Sequence, residues 1–300
     1  MKKLCFVLED CYRHDDMPLA VAQRLIEWGH DVDILEPTNS IARVSDLFRD
    51  SDHDAWVLKS VSGGPGLSLL EAAAASGLRT INDARSIPAV RDKAVAAAVA
   101  RRHGLPFPLT YFAAVPDLLR TVPPEHYPLV VKPANGNSGR SVRLVSTPED
   151  LQCCTMGDGW LLAQTYVPNP GVDIKVYNTG DGLYATVQRS PLHPDKPVEG
   201  RLITLSPDLA RLVAFIGAVF RLDLYGVDVV EGPDGWAVVD VNDFPSFTWV
   251  PDAPARVART VLRLADRDGS VAYPPLDVDT ARAPGRVREP DARAATHRTG

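Results

Sequence analysis

Short apolar runs alternate with stretches of helical periodicity over the first 85 or so residues. Residues 3–8, 31–35, 55–58 and 78–81 read as strands, and 18–28 and 67–75 place apolar side chains at helical spacing. That alternation predicts a parallel α/β sheet. From Ala89 the texture changes. Residues 90–104 form an alanine-rich pattern ending at Gly104, which predicts a helix with a glycine at its C-terminal cap. Strand-like runs then dominate, at 127–133, 142–145, 160–167, 172–177 and 185–191. Residues 206–220 open with Ser206 and Pro207 ahead of an apolar stripe, as a capped helix does, and 252–265 form a second amphipathic helix. Beyond Asp268 the chain turns to Pro, Arg, Asp and Ala, and 282–300 are expected to be disordered.

Two β-branched runs, 225–231 and 236–242, flank Gly232-Pro-Asp-Gly235 and predict a hairpin. With the turn centred there, Asp228 falls nearly opposite Asp240. Strand side chains alternate faces, so Asp240 and Asn242 project together. Carboxylates gathered on an otherwise apolar hairpin repel unless a cation joins them. An oxygen-only set from Asp, Asp and Asn suits a hard ion such as Mg2+, with phosphate oxygens and water completing the shell. A solvated acidic face is the plainer alternative for this segment alone.

Composition narrows the class. A chain of 300 residues with 45% hydrophobic side chains can bury a large core and is expected to divide into lobes. A net charge of −6 argues against coating nucleic acid or an anionic membrane. No apolar run approaches the roughly 20 residues that span a bilayer, and acid follows too soon after Met1 for a secretory signal, so a cytoplasmic protein is expected. Cys5, Cys11, Cys153 and Cys154 lack metal-type spacing and are read as reduced thiols, Cys5 as a core residue.

Phosphate chemistry is suggested further upstream. Lys93 lies in the first turns of the alanine-rich helix, where cations gain nothing from the helix dipole, so its placement suggests joint use with free amides to hold a phosphate, a solvated surface lysine being the plainer reading of this residue alone. The strand at 127–133 delivers Lys132 into Ala134-Asn-Gly-Asn-Ser-Gly-Arg-Ser141. There Gly136, Asn137, Ser138, Gly139 and Arg140 form a small polar loop whose amides suit phosphate oxygens. The lysine precedes the glycines and a strand follows them, which separates this loop from the strand–GxxxxGK[ST]–helix type. Residues Gln164, Thr165, Tyr166 and Val167 leave a strand for a loop, a crossing suited to present backbone groups to a purine edge. Lys175 and Arg189 are charges embedded in strand-like sequence and should face a ligand or a carboxylate.

Taken in order, Val130-Val-Lys-Pro with its glycine loop, the segment from Gln164 to Lys175, Gln188-Arg-Ser-Pro, Gly226-Val-Asp and Asp240-Val-Asn-Asp-Phe-Pro resemble the ATP-grasp superfamily over roughly residues 85–265. The resemblance implies an α/β and α+β architecture: an ATP-grasp fold with an N-terminal Rossmann-like pre-grasp lobe at 1–85, a central lobe at 86–167, a C-terminal lobe at 168–267 and a tail at 268–300. It implies ATP held by Lys93, Lys132, the 136–140 loop and residues 164–167, with Asp173 among the nucleotide-side residues. It implies Mg2+, or Mn2+ in its place, on Asp228, Asp240 and Asn242, and Arg189 with Lys175 at the transferring phosphoryl group.

Two branches of the superfamily compete. Gly171-Val-Asp-Ile-Lys resembles the Gly-x-Asp-x-Arg of RimK-like carboxylate–amine ligases, with Lys175 in place of the arginine. The lysine and Gln188-Arg-Ser-Pro resemble inositol-polyphosphate kinases. A polyphosphorylated substrate needs many converging cations, and Lys59, Arg140, Lys175 and Arg189 are few, so the expectation is a ligase joining small amino acids or related small carboxylates to an amine through an acyl phosphate. A kinase of a polyol or inositol phosphate is the alternative, and a silent nucleotide-binding protein a remote one. The expected partners are small molecules, with neither nucleic acid nor membrane, and a homodimer is the default. His14, His193 and Ser62-Gly-Gly-Pro-Gly66 lie where substrate loops or gates occur, with ordinary surface loops or turns as the alternative, and Phe247 and Trp249 are read as pocket walls or core.

Overall fold

The computed structural model describes residues 1–9, 12, 16–49, 51–59, 64–134, 142–153 and 160–267. Three sheets organise them. The first contains β1 (Lys3–Leu8), β2 (Asp31–Leu35), β3 (Ala55–Lys59) and β4 (Thr80–Ile81), all parallel, in the order β2-β1-β3-β4. Helices α1 (Asp16–Glu27), α2 (Val44–Leu47) and α3 (Pro65–Ala75) connect these strands. Parallel strands need crossovers, and the helical stretches read from the sequence supply them. Cys5 is buried in this sheet as expected, and burial pushes its thiol up to about 12.

The helix predicted over 90–104 is two helices, α4 (Ile87–Arg91) and α5 (Lys93–Arg102), separated at Asp92. Asp92 is extended (φ −78°, ψ 104°) and its carboxylate accepts from the Ala94 and Val95 amides. An aspartate that caps the next helix competes with continuing the preceding one, which is why an uninterrupted alanine-rich pattern hides a break.

The second sheet is antiparallel, in the order β5-β8-β6-β7, from β5 (Thr110–Ala113), β6 (Leu129–Pro133), β7 (Arg143–Val145) and β8 (Leu161–Thr165). The third is antiparallel and five-stranded, in the order β11-β10-β9-β12-β13. It contains β9 (Val172–Asn178), β10 (Leu183–Arg189), β11 (Arg201–Ile203), β12 (Tyr225–Gly232) and β13 (Gly235–Asp243). Helix α6 (Pro207–Phe220), capped by Ser206 as predicted, packs Leu209, Val213, Ile216 and Phe220 into one core with Val227, Val229 and Val241 of this sheet. Helix α7 (Ala253–Ala265) returns to the first sheet, where Val257, Val261 and Leu264 share a core with Leu4, Phe6, Val21 and Leu25. Strands β5 and β11 were not anticipated. Among the described residues no helix is long and apolar enough to cross a membrane. The tail at 268–300 lies outside the described residues.

Candidate active site

A cavity of about 530 Å³ is lined by residues from all three sheets and from α4 and α5. Its floor is a row of charged side chains crossing three neighbouring strands. Lys175 on β9 is the register partner of Asp228 on β12, and Asp228 is the register partner of Asp240 on β13. The expected opposition of the two aspartates is therefore present. The Lys175 amine donates to Asp228 Oδ2, and Lys93 Nζ donates to Asp240 Oδ1 at 2.6 Å. Asn242 lies two residues beyond Asp240 and also lines the cavity.

The hairpin is irregular beside this row. The register slips after Asp228, so that Val229 pairs with Val238 and Val239 is left over as a bulge. A bulged residue has no ladder partner. Here the Val239 carbonyl is used by Lys132 Nζ, at 2.9 Å. Lys93, Lys132 and Lys175 thus line the cavity from α5, β6 and β9, three separate elements.

These neighbours set the protonation of the site. Burial pushes the Lys132 ammonium down to about 8, with the pull of Asp240 too weak to reverse it. Burial works to raise the Asp240 carboxyl, but Lys93 and Lys132 outweigh it and hold the group below the usual carboxylate range. Burial likewise works to lower Lys175, and Asp228 reverses that, holding the ammonium above its ordinary value. Asp173 is buried, which raises its carboxyl even though the Ser190 hydroxyl donates to it. The result is two carboxylates opposite each other, each hydrogen-bonded by a lysine.

That set fits a hard divalent cation. The donors are all oxygen, and two carboxylates plus an amide leave positions for ligand oxygens. Among the described residues no cluster of three His, Cys, Asp or Glu side chains is placed to hold a metal.

Other expected residues are placed as follows. Gln164, Thr165, Tyr166 and Val167 line the cavity, as does Asp173. The Gln164 amide is buried and donates to Thr110 Oγ1 at 3.1 Å. The amides of Thr165 and Tyr166 donate to the carbonyls of Leu109 and Pro128, at 3.0 and 2.8 Å, so these two N–H groups are not offered to a ligand as the sequence suggested. Lys93 stands at the first position of α5, but the amides beside it are taken by Asp92, and its amine serves Asp240. The expected pairing of Lys93 with free amides is corrected accordingly. Arg189 borders the cavity while its guanidinium donates to the Pro194 carbonyl at 3.1 Å. His193 is a hydrogen-bond partner of Tyr166 Oη at 3.0 Å. Phe247 is core and Trp249 is 56% exposed, so neither is a pocket wall; Phe244, Pro245, Ser246 and Thr248 are. Gly136, Asn137, Ser138, Gly139, Arg140 and His14 lie outside the described residues.

The glycine run after β3 has a structural reason. A Cβ on Gly64 would lie 2.1 Å from the Glu9 carboxylate, and Gly66 donates its amide to Glu9 Oε1 at 2.9 Å. Sequence reasoning missed two side chains that border the site or its frame: Arg91 holds Asp243 and Asn82 holds the start of β12, while Lys59, counted among the candidate cations, holds the Phe244 carbonyl. Only the acidity of Asp240-Val-Asn-Asp243 hinted that a further cation was needed there.

A model of the RimK-like ATP-grasp domain matches residues 90–253. The chain is 27% identical over 273 residues to the probable alpha-L-glutamate ligase 1 of Shewanella denitrificans, covering 81% of this chain and 91% of that protein. The RimK domain ATP-grasp protein of Sphaerobacter thermophilus superposes with a TM-score of 0.69 at 19% identity, covering 86% of this chain and 98% of that one. The ATP-grasp ligase PsnB, in its complex with a minimal precursor, Mg and ADP, superposes at 0.64 with 16% identity, covering 87% of this chain and 97% of that one.

Proposed function

Since the chain belongs to the RimK-like ATP-grasp family, whose ligases join a carboxylate to an amine with ATP, we propose that it couples a small amino-acid carboxylate to an amine through an acyl phosphate. The observation that carries this reading is the row Lys175–Asp228–Asp240 with Lys93 and Lys132 converging on it. Five charged groups from four strands and a helix meet in one cavity, an arrangement suited to a polyphosphate with its metal.

A carboxylate resists amines because its charge is delocalised. Transfer of the γ-phosphoryl group of ATP forms a bond from a carboxylate oxygen to phosphorus and breaks the bond from phosphorus to the β–γ bridging oxygen, releasing ADP. The amine nitrogen then bonds to the acyl carbon, the carbon–oxygen bond to phosphate breaks, and the nitrogen gives up a proton. Both steps develop negative charge on oxygens, so the protein's task is positioning and cationic stabilisation. Lys93, Lys132 and Lys175 supply that charge from fixed positions. Asp228, Asp240 and Asn242 would hold Mg2+, or Mn2+ in its place, which draws charge from the phosphate oxygens.

In this reading Gln164, Thr165, Tyr166 and Val167 border the adenine, with Asp173 on the same side, and the loop of Gly136, Asn137, Ser138, Gly139 and Arg140 closes over the phosphates to exclude water from the acyl phosphate. Arg189, which lines the cavity, faces the transferring phosphoryl group. Relatives that are probable alpha-L-glutamate ligases favour an amino acid of the glutamate class as one substrate.

Replacement of the hairpin ligands tests the reading. Asp240→Ala and Asn242→Ala should each abolish ADP release that depends on both a carboxylate and an amine, with the circular-dichroism spectrum and melting transition retained. Unchanged turnover in a folded variant would remove these residues from the reaction.

A further inference from the structure

The open end of the β12–β13 hairpin is gripped from three directions. Asn82, which follows β4 and is 1% exposed, donates through Nδ2 to the Leu224 carbonyl at 2.7 Å, and its Oδ1 accepts from the Asp223 and Leu224 amides at 2.8 Å each. Lys59, the last residue of β3, donates to the Phe244 carbonyl at 2.8 Å. Arg91, the last residue of α4, holds Asp243 with a two-point fork, Nε to Oδ1 at 2.9 Å and Nη2 to Oδ2 at 2.8 Å. Both side chains of that fork are nearly buried, at 10% and 6% exposure.

These contacts fall on a few neighbouring backbone positions. Tyr225 and Asp243 are register partners at the base of the hairpin, and the Phe244 amide closes the base on the Leu224 carbonyl at 3.2 Å. Asp243 adjoins Asn242, and Phe244 turns into the left-handed region with φ +44°, a conformation a phenylalanine adopts only under restraint. The side of the hairpin facing Tyr177 is equally constrained, because a Cβ on Gly226, the partner of Asn242, would meet Tyr177 and Pro245 at 3.2 Å. Buried polar and charged groups are costly unless paired. Here Lys59 and Asn82 are paired with the hairpin's backbone and Arg91 with its terminal carboxylate.

We infer that Asn82, Lys59 and Arg91 are positioning residues of the metal-binding hairpin: by fixing its open end to the first sheet and α4, they set the separation of Asp228, Asp240 and Asn242. The inference rests on the proposed metal role of those three residues. It follows that the first sheet, whose Lys59 also lines the cavity, and the metal site share one frame. Groups that orient ligands without touching the metal typically change metal affinity by about 10–100-fold when replaced.

The test uses the full chain and Mn2+ with ADP, bound metal being read from the electron paramagnetic resonance of the free ion. Lys59→Met and Arg91→Lys, the second keeping the charge but not the fork, should each weaken Mn2+ binding by about tenfold or more. The Mg2+ concentration for half-maximal turnover should rise in parallel, while the charge-conserving Arg91→Lys keeps ADP binding in EDTA near that of the parent. Asp240→Asn is the control for the metal site itself: unchanged Mn2+ binding there would overturn the parent reading. Weakened binding in Asp240→Asn with parent-like binding in the folded anchor variants would overturn the anchor alone. Should Lys59→Met fail to melt cooperatively, Arg91→Lys decides by itself.

Discussion

Lys175 on β9 and Asp228 on β12 occupy one register position, and the lysine amine donates to the aspartate carboxylate. The next strand places Asp240 beside the pair. Lys175 therefore has two tasks, neutralising a nearly buried carboxylate and presenting a positive charge to the cavity. Lys175→Met should remove both and lower kcat by about a hundredfold, the scale of losing one charge-stabilising donor. Lys175→Arg restores the residue type that the RimK-like pattern has there and should retain clearly more activity than the methionine variant. Equal rates for the two, measured with both folded, would mean that the charge at this position is not used.

Lys132 gives the site a pH dependence. Under the proposed function its ammonium form holds phosphate, and burial brings the amine's pKa down to about 8. The charged form is present below that value and lost above it, so ADP affinity measured without metal should fall as pH rises through about 8, by up to about tenfold per unit, because a bound polyphosphate favours the protonated amine. Lys132→Arg should flatten the profile. A pH-independent affinity in the parent protein would contradict contact between this amine and the phosphates.

Helix α6 offers a test of packing away from the site. A Cβ on Gly217 would lie 2.2 Å from Tyr225 Oη, and that ring is buried with its hydroxyl donating to Val213. Gly217→Ala gains about 1 kcal/mol of helix propensity. Overpacking a rigid aromatic costs about 1–3 kcal/mol, so the net effect should be destabilising and visible as a lower melting temperature with Mg2+-dependent turnover retained at low temperature. A higher melting temperature would show that Tyr225 moves freely.

Much of this arrangement was legible in the chain. Alternating patterns gave the strands of the first sheet, and Gly232-Pro-Asp-Gly235 set a turn whose register alone would put Asp228 against Val239; the bulge at Val239 is what brings Asp240 opposite Asp228. The break at Asp92 was hidden, since alanine periodicity continues across it and only the carboxylate's cap contacts mark the restart. The Val239 bulge was hidden too. Nothing in a run of valines says which residue will lose its ladder partner to Lys132. The anchoring contacts of Asn82, Lys59 and Arg91 were illegible for a different reason: each meets its partner across more than 140 positions, a separation local patterns do not encode.

The central claim is that Mg-ATP turnover is coupled to making an amide, and product analysis tests it most directly. Purified protein with Mg-ATP and mixed amino acids, glutamate included, should release ADP and free phosphate together with a new mass equal to the two substrates less one water. ADP without free phosphate, with a product heavier than its precursor by one phosphoryl group, would contradict the account.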